Sequence, residues 1–282
     1  MFTVTSASIM LVVLIGMGLY LKSVPIFENN NIWQLISNSV WKPGNGDFGF
    51  LPFIAGTLWV TALSIILALP VALLTALFLT EHSRSYIKKM VFPVLDILAG
   101  LPSVIYGVWG ILIIVPFISE KLAPHFVEYS TGYTTLASGI VLSIMILPLL
   151  ISLFIEIFSA VPKELREASL SLGATKWQTS KYIVLRKTKP GIYAAVILAV
   201  SRAFGETIAV LMVAGNIPEI PHSLFDACYP LPALIANNYG EMLSIPLYES
   251  ALMLAAFLLF IVVVFFNTSS RMILYQIEKK FK

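Results

Sequence analysis

Charge is what this sequence has least of. Only 12% of its 282 residues are Asp, Glu, Lys or Arg, against about 25% in an ordinary soluble domain. So few charges cannot cover a water-facing surface, which excludes a soluble enzyme, a disordered chain and a nucleic-acid-binding protein. Cysteine is nearly absent as well. Cys228 stands alone, so there is no internal disulfide framework and no cysteine-rich metal site. No Gly-x-x-x-x-Gly-Lys-Ser/Thr run occurs, so the chain does not bind ATP through that phosphate loop. His82, His125 and His222 fall in loops between the apolar runs. A serine–histidine intramembrane protease would need its histidine inside the membrane. An aspartyl intramembrane protease needs two membrane aspartates, and only Asp96 lies near a span. No His/Cys/Asp/Glu group has metal-ligand spacing.

What the chain has is apolar length. Hydrophobic residues make up 58% of it, and its mean hydropathy is +0.90. A bilayer core about 30 Å thick needs roughly 20 mostly apolar residues per helix. Six segments qualify, at about Thr5–Leu21, Leu51–Leu79, Pro93–Ile118, Thr134–Phe158, Gly191–Ala214 and Glu249–Phe266. Several are long enough to need tilt or a kink, for which Pro70 and Pro102 are candidates. The first segment has no basic leader and no clear small-residue cleavage site, so it reads as a helix and not a signal peptide. The expectation is an all-α polytopic membrane protein with six transmembrane helices. One membrane domain over 1–282 is expected, with core helices at about 51–266.

Lysine and arginine set the orientation. Arg84, Lys88 and Lys89 lie in the second loop, and Lys163, Arg166, Lys176, Lys181, Arg186, Lys187 and Lys189 in the fourth. The tail adds Arg271, Lys279, Lys280 and Lys282. The opposite side has only Lys22, Lys42 and Lys121, and Arg202 alone falls inside a span. This bias places both termini in the cytoplasm. On the other side, Ile32, Trp33, Leu35, Ile36, Val40 and Trp41 form an amphipathic stretch suited to an interfacial helix. The outer loop from Ile217 to Tyr248 holds five prolines, at 218, 221, 230, 232 and 246, and is expected to be irregular.

The largest basic loop, about 161–189, carries the most specific pattern. It reads Val161-Pro162-Lys163-Glu164-Leu165-Arg166-Glu167-Ala168-Ser169-Leu170-Ser171-Leu172-Gly173-Ala174. Pro162, Glu164 and Glu167 suit the first turn of a helix. Leu165, Ala168 and Leu172 share a face, and Gly173 supplies a stop. Such a helix could dock onto another protein or lie on the lipid surface. The stretch resembles the signature loop of permease subunits of ABC importers: Glu167-Ala168-Ser169, a glycine six positions on at Gly173, then Ile183-Val184-Leu185. Arg186 stands where that family usually has proline. The resemblance implies that the short helix is a coupling helix, seated on a cytoplasmic ATPase through Glu164, Glu167, Ala168, Leu172, Gly173 and Ala174.

Two further matches narrow the family. Ser201-Arg202-Ala203-Phe204-Gly205-Glu206-Thr207, continuing to Met212-Val213-Ala214-Gly215-Asn216, resembles permeases of the phosphate-specific (Pst) importers, in particular their C-type subunit. Ala99-Gly100-Leu101-Pro102-Ser103-Val104-Ile105-Tyr106-Gly107 is similar to a second segment of the same family. The resemblance implies a type I importer permease fold. It also implies several partners: a second, A-type permease, a cytoplasmic ATPase dimer using ATP and magnesium, and an extracytoplasmic phosphate-binding protein. The chain itself would bind no cofactor and catalyse nothing. It would sit in the inner membrane of a prokaryote and pass inorganic phosphate along a path that includes Arg202, Glu206 and Thr207.

Arg202 and Glu206 are four residues apart, so on a continuous helix they share a face and can pair. An arginine at the bilayer centre costs on the order of 2.5–3.5 kcal/mol, so a partnered charge facing protein is expected. Two readings remain open: a structural pair that fixes packing, or a guanidinium that meets an anion while Glu206 competes for it. Small residues recur at intervals of four at Gly191, Ala195, Ala199 and Ala203, and at Ala99, Ser103 and Gly107. Both stripes read as close-packing surfaces. Asp96, Glu156, Glu81 and Glu249, near span ends, read as charges that anchor loops or interfaces. The near functional alternative is a permease for sulfate, molybdate or tungstate; the distant one is a non-transporting scaffold.

Overall fold

The structure, a computed structural model, describes residues 2–28, 30–240, 245 and 247–281. It is built almost wholly of helices. α1 (Phe2–Phe27) is followed by the short α2 (Ile32–Ser37), whose N-cap Asn31 accepts a hydrogen bond from the Trp33 amide. A two-stranded hairpin, β1 (Trp41–Lys42) and β2 (Asp47–Phe48), then leads into α3, which runs from Leu51 to His82 and closes in a π turn over Phe78–His82. Its interior Pro70 is absorbed without a break.

α4 (Ser85–Gly100) ends at Leu101, which is extended at φ −66° and ψ 136°. The following Pro102 disfavours the helical region for that residue. The span expected as one kinked helix over 93–118 is therefore two, and a new helix, α5 (Ser103–His125), begins after the proline. The Tyr106 hydroxyl bridges the gap by donating to the Leu98 carbonyl at 2.7 Å. α5 approaches its neighbours closely because Gly110 has no side chain: a Cβ there would lie 2.6 Å from Val141 and 2.9 Å from Val213.

α6 (Thr135–Ser159) is capped by Thr134, whose hydroxyl accepts from the Ala137 amide at 3.1 Å. α6 and α3 form the most extensively packed helix pair. Their buried stripes, including Val60, Ala68, Ala72, Leu142, Ile146, Leu150 and Phe154, make the centre of the main core. Next come α7 (Lys163–Ser171) and α8 (Lys176–Thr179), the latter opening on a capping box between Thr175 and Gln178. α8 passes through a π turn at Ser180–Val184 into α9 (Leu185–Phe204). Arg186, where the resembled family carries proline, thus lies in an unbroken helical run and is exposed.

The last third differs from its expected layout. The fifth span was expected to continue to Ala214, but α9 stops at Phe204 and Gly205 leads into a turn. A single turn, α10 (Ile208–Leu211), follows. Gly215 and Cys228 then pair as an isolated parallel bridge, with the Cys228 amide donating to Ala214 at 2.9 Å. The loop expected to be irregular contains α11 (Leu231–Asn238), with Leu231, Ala233 and Leu234 buried. Four of its five prolines are described, and Pro246 lies outside the described residues. α12 (Tyr248–Phe281) closes the fold; Lys282 of the basic tail is also outside the described residues.

Among the described residues five helices are long and apolar enough to cross a membrane: Met10–Phe27, Leu51–His82, Ser103–His125, Thr135–Ser159 and Tyr248–Ile273. α9 is not among them, since Arg186, Lys187, Lys189 and Arg202 interrupt its apolar character. A second, aromatic core lies at the hairpin end. There Trp41 packs against Phe48, Phe50, Phe53 and Tyr248 with ring centroids 4.9–6.2 Å apart.

Candidate functional site

Two regions bring the sequence-predicted residues together. The first is built where α9 ends. Arg202 occupies the last turn of α9, where a cation suits the helix dipole. Glu206 and Thr207 fall in the turn after it. Because the helix breaks at Gly205, the expected Arg202–Glu206 ion pair on one helical face does not form. The Glu206 carboxylate instead accepts from the Ala209 amide at 3.3 Å, capping α10. The Thr207 hydroxyl donates to the Gly205 carbonyl at 3.3 Å.

Arg202 and Glu206 nevertheless line one cleft of about 450 Å³, together with Ser201, Gly205, Leu149 and Leu198. Asn267 and Val263 of α12 complete the wall. Asn267 was not singled out by sequence, although an amide inside a long apolar helix was the available signal. Ser201 donates to the Val263 carbonyl at 3.4 Å and Ser270 to the Ala194 carbonyl at 2.8 Å, fixing α12 against α9. Tyr106 of the second matched segment lies within electrostatic reach of Arg202. Arg202 is exposed on the isolated chain, and no carboxylate lies within ion-pair distance of it among the described residues. A guanidinium facing lipid there would be costly. Its setting is therefore an aqueous path or a protein partner. Chemically, the cleft offers a fork of donors for a tetrahedral oxyanion and an amide that can bond to it.

Gly191, Ala195, Ala199 and Ala203 are all buried, as close packing requires. A Cβ on Gly191 would lie 2.9 Å from Ile157. The other stripe splits. Gly107 is buried in α5, while Ala99 is exposed and belongs to α4.

The second region is the α7 end. The helix spans Lys163–Ser171, after Pro162, with Glu164 in its first turn. Gly173, at φ +84°, terminates it. The Ala174 amide donates to Ser169 at 3.3 Å and the Gly173 amide to Leu170 at 3.0 Å, the paired bonds of a Schellman cap. Leu165, Glu167, Ala168 and Leu172 are exposed, Leu172 at 89%. Trp177 at 53% extends this apolar surface. The opposite side of α7 faces the membrane helices. Arg166 meets Glu81 at the end of α3, with Nη2 at 2.9 Å from Oε1 and Nε at 3.1 Å from Oε2. Ser169 shares a hydrogen bond with Thr179 at 3.0 Å. Glu81 is thus an anchoring charge, as its place at a span end suggests, and its partner Arg166 lies 85 positions away in sequence. Glu249 anchors α12 to α1 through Lys22 at 2.8 Å, whereas Asp96 and Glu156 are exposed.

Cys228 is fully buried behind Thr135 and Ser138. Burial pushes its thiol up to about 11, and the polar side chains of Thr135 and Ser138 oppose the shift.

Comparison with known proteins gives these arrangements a family. A family model described as "Binding-protein-dependent transport system inner membrane component" matches residues 68–282. The "Phosphate transport system permease protein PstC" of Xylella fastidiosa is 35% identical over 254 residues, covering 85% of this chain and 78% of that protein. PstC of Haemophilus influenzae is 30% identical over 297 residues, covering 99% and 94%. The "Probable ABC transporter permease protein YqgH" of Bacillus subtilis is 40% identical over 210 residues, covering 74% and 66%. Among solved structures, an inward-facing MetNI methionine ABC transporter aligns with a TM-score of 0.54 at 20% identity, over 79% of this chain and 91% of that one. A bacterial alginate ABC transporter aligns with a TM-score of 0.54 at 17% identity, over 79% of each. These likenesses establish the fold as that of a type I importer permease. The chain belongs to the family of binding-protein-dependent transport system inner membrane components, among the PstC permeases.

Proposed function

We propose that this chain is the permease subunit of an ATP-driven inorganic phosphate importer and forms half of its translocation path. The observation that carries the reading is Arg202. It is an arginine exposed on an apolar chain with no carboxylate partner among the described residues, set in a cleft with Glu206 and Asn267. The PstC relatives, named for phosphate transport, supply the substrate class. A fork of guanidinium donors matches phosphate oxygens. Glu206, already bonded to the Ala209 amide, places a like charge beside the anion and keeps its capture weak enough for release. Thr207 lies next to Glu206 and contributes a hydroxyl to the same turn.

The exposed side of Arg202 faces a second, homologous A-type permease, and the two chains enclose the path. α9 serves as the remaining crossing in a six-span layout, and the basic loops put both termini in the cytoplasm. A cytoplasmic ATPase dimer, using ATP and magnesium, docks on α7 through Glu164, Glu167, Ala168, Leu172, Gly173 and Ala174. ATP-driven closure of that dimer shifts α7 and rocks the permeases between inward-open and outward-open states. An extracytoplasmic phosphate-binding protein delivers the anion on the opposite side, where residues 217–219 and 222–224 are exposed. This chain hydrolyses nothing itself.

The test is radiolabelled phosphate uptake into proteoliposomes containing this chain, its partner permease and the ATPase, with binding protein outside and ATP inside the ATPase compartment. Uptake that requires ATP and resists unlabelled sulfate and molybdate is expected. Competition by either anion would reassign the substrate, and no ATP-dependent uptake from an intact complex would overturn the importer reading.

A further inference from the structure

Glu81 is in an unusual position for an acid. It lies in the last turn of α3, where the helix dipole disfavours negative charge. Its carboxylate is nonetheless mostly buried, with 10% of the side chain exposed. Arg166 of α7 resolves both problems. Its Nε lies 3.2 and 3.1 Å from the two carboxylate oxygens, and its Nη2 lies 2.9 Å from Oε1. The remaining donors turn to the C-terminal end of α6. Nη2 donates to the Phe158 carbonyl at 2.7 Å, and Nη1 donates to the Val161 carbonyl. One guanidinium thus gathers the ends of α3 and α6, the most closely packed helix pair of the fold. It belongs to the same short helix whose opposite face presents Leu165, Ala168 and Leu172 outward.

We infer that the Arg166–Glu81 pair is the linkage through which displacement of α7 reaches the α3–α6 pair, so that Arg166 and Glu81 are positioning residues for energy coupling. The inference rests on the importer reading above. Here the planar fork binds two helix ends at once and fixes the angle of α7 as well as its distance, which a lysine's point charge cannot do. Pulling on the outer face of α7 therefore moves both membrane helices together. Without the carboxylate, Arg166 still reaches the Phe158 and Val161 carbonyls at the end of α6, but α7 loses its ion pair to α3.

The experiment uses the full complex in proteoliposomes and reads phosphate molecules transported per ATP hydrolysed. Glu81→Gln and Arg166→Lys are compared with the wild type and with the charge-swapped chain Glu81→Arg/Arg166→Glu. We expect both single variants to assemble and hydrolyse ATP, with transport per ATP lowered by about tenfold. The swap should recover part of that ratio. A wild-type ratio in both single variants would overturn the linkage. So would loss of assembly in the single variants that the swap does not relieve, because the pair would then be a fastener of the fold. Failure of the wild-type complex itself to transport phosphate would instead sink the importer reading. A second measurement applies even where turnover is low. Spin labels at Ser171→Cys on α7 and Phe78→Cys on α3, both exposed positions, should keep a constant separation between nucleotide-free and ATP-trapped wild type, but change it in Glu81→Gln. A separation that changes equally in both chains would contradict the linkage.

Discussion

Two arginines of this chain are treated in opposite ways. Arg166 is only 18% exposed, and both a carboxylate and two backbone carbonyls absorb its donors. Arg202 is exposed and has no carboxylate within reach among the described residues. The first guanidinium is saturated by its own protein, and the second is left with donors to spare. An apolar chain tolerates an arginine only if something satisfies it. Where the fold does so, the arginine holds elements together. Where the fold does not, a second chain, water or an anion must, and on that ground we place the substrate's contacts there.

The comparison can be broken first at the open arginine. Arg202→Ala should lower phosphate uptake by about a hundredfold, equivalent to about 2.7 kcal/mol for loss of a charged partner. Co-purification with the second permease and the ATPase should be unchanged. Uptake within threefold of the wild type would remove Arg202 from the path. Leu172→Glu acts at the other end, putting a charge on the most exposed apolar position of the surface proposed to dock the ATPase. We expect ATPase co-purification to fall by about tenfold, as for a central interface residue, with the chain still inserted in the membrane. Gly173→Ala should do less. A Cβ at Gly173 meets no atom within 4 Å, so only the backbone at φ +84° resists it, by about 1–2 kcal/mol. Transport per ATP should drop a few-fold, and thermal unfolding should shift only slightly.

The smallest effect belongs to Cys228. Its thiol, raised to about 11 by burial, is neutral through the physiological range, with about one thiolate in a thousand at pH 8. Alkylation of the intact complex by iodoacetamide should be undetectable there and should rise only as the pH approaches 11. Rapid labelling at pH 8 would show that the 215–228 bridge opens.

Much of this was legible in advance. The spans at 51–79 and 134–158 are long, apolar and uninterrupted, and both are single helices. Gly173 was a readable stop because a glycine after an amphipathic turn is the usual C-cap residue. The breaks were harder. Pro102 was read as a kink, but its effect on Leu101 ended a helix outright. Gly205 gave no warning, since a glycine inside an apolar run is common in membrane helices. That single break separated Arg202 from Glu206, which four-residue spacing had paired. The Arg166–Glu81 pair spans 85 positions, and no local pattern announces a contact of that range. α11 was hidden by its prolines, although Pro230 and Pro232 sit at its start, where proline fits.

The most direct test of the account puts a probe in the cleft while leaving Arg202 intact. Asn267→Cys, in the reconstituted complex, can be labelled with a charged, membrane-impermeant thiol reagent, with Cys228 buried and silent. If the cleft is the phosphate path, labelling should proceed from water and slow during ATP-driven phosphate uptake, but not when chloride replaces phosphate. A thiol that never reacts, or reacts at one rate whether or not phosphate is moving, would contradict it.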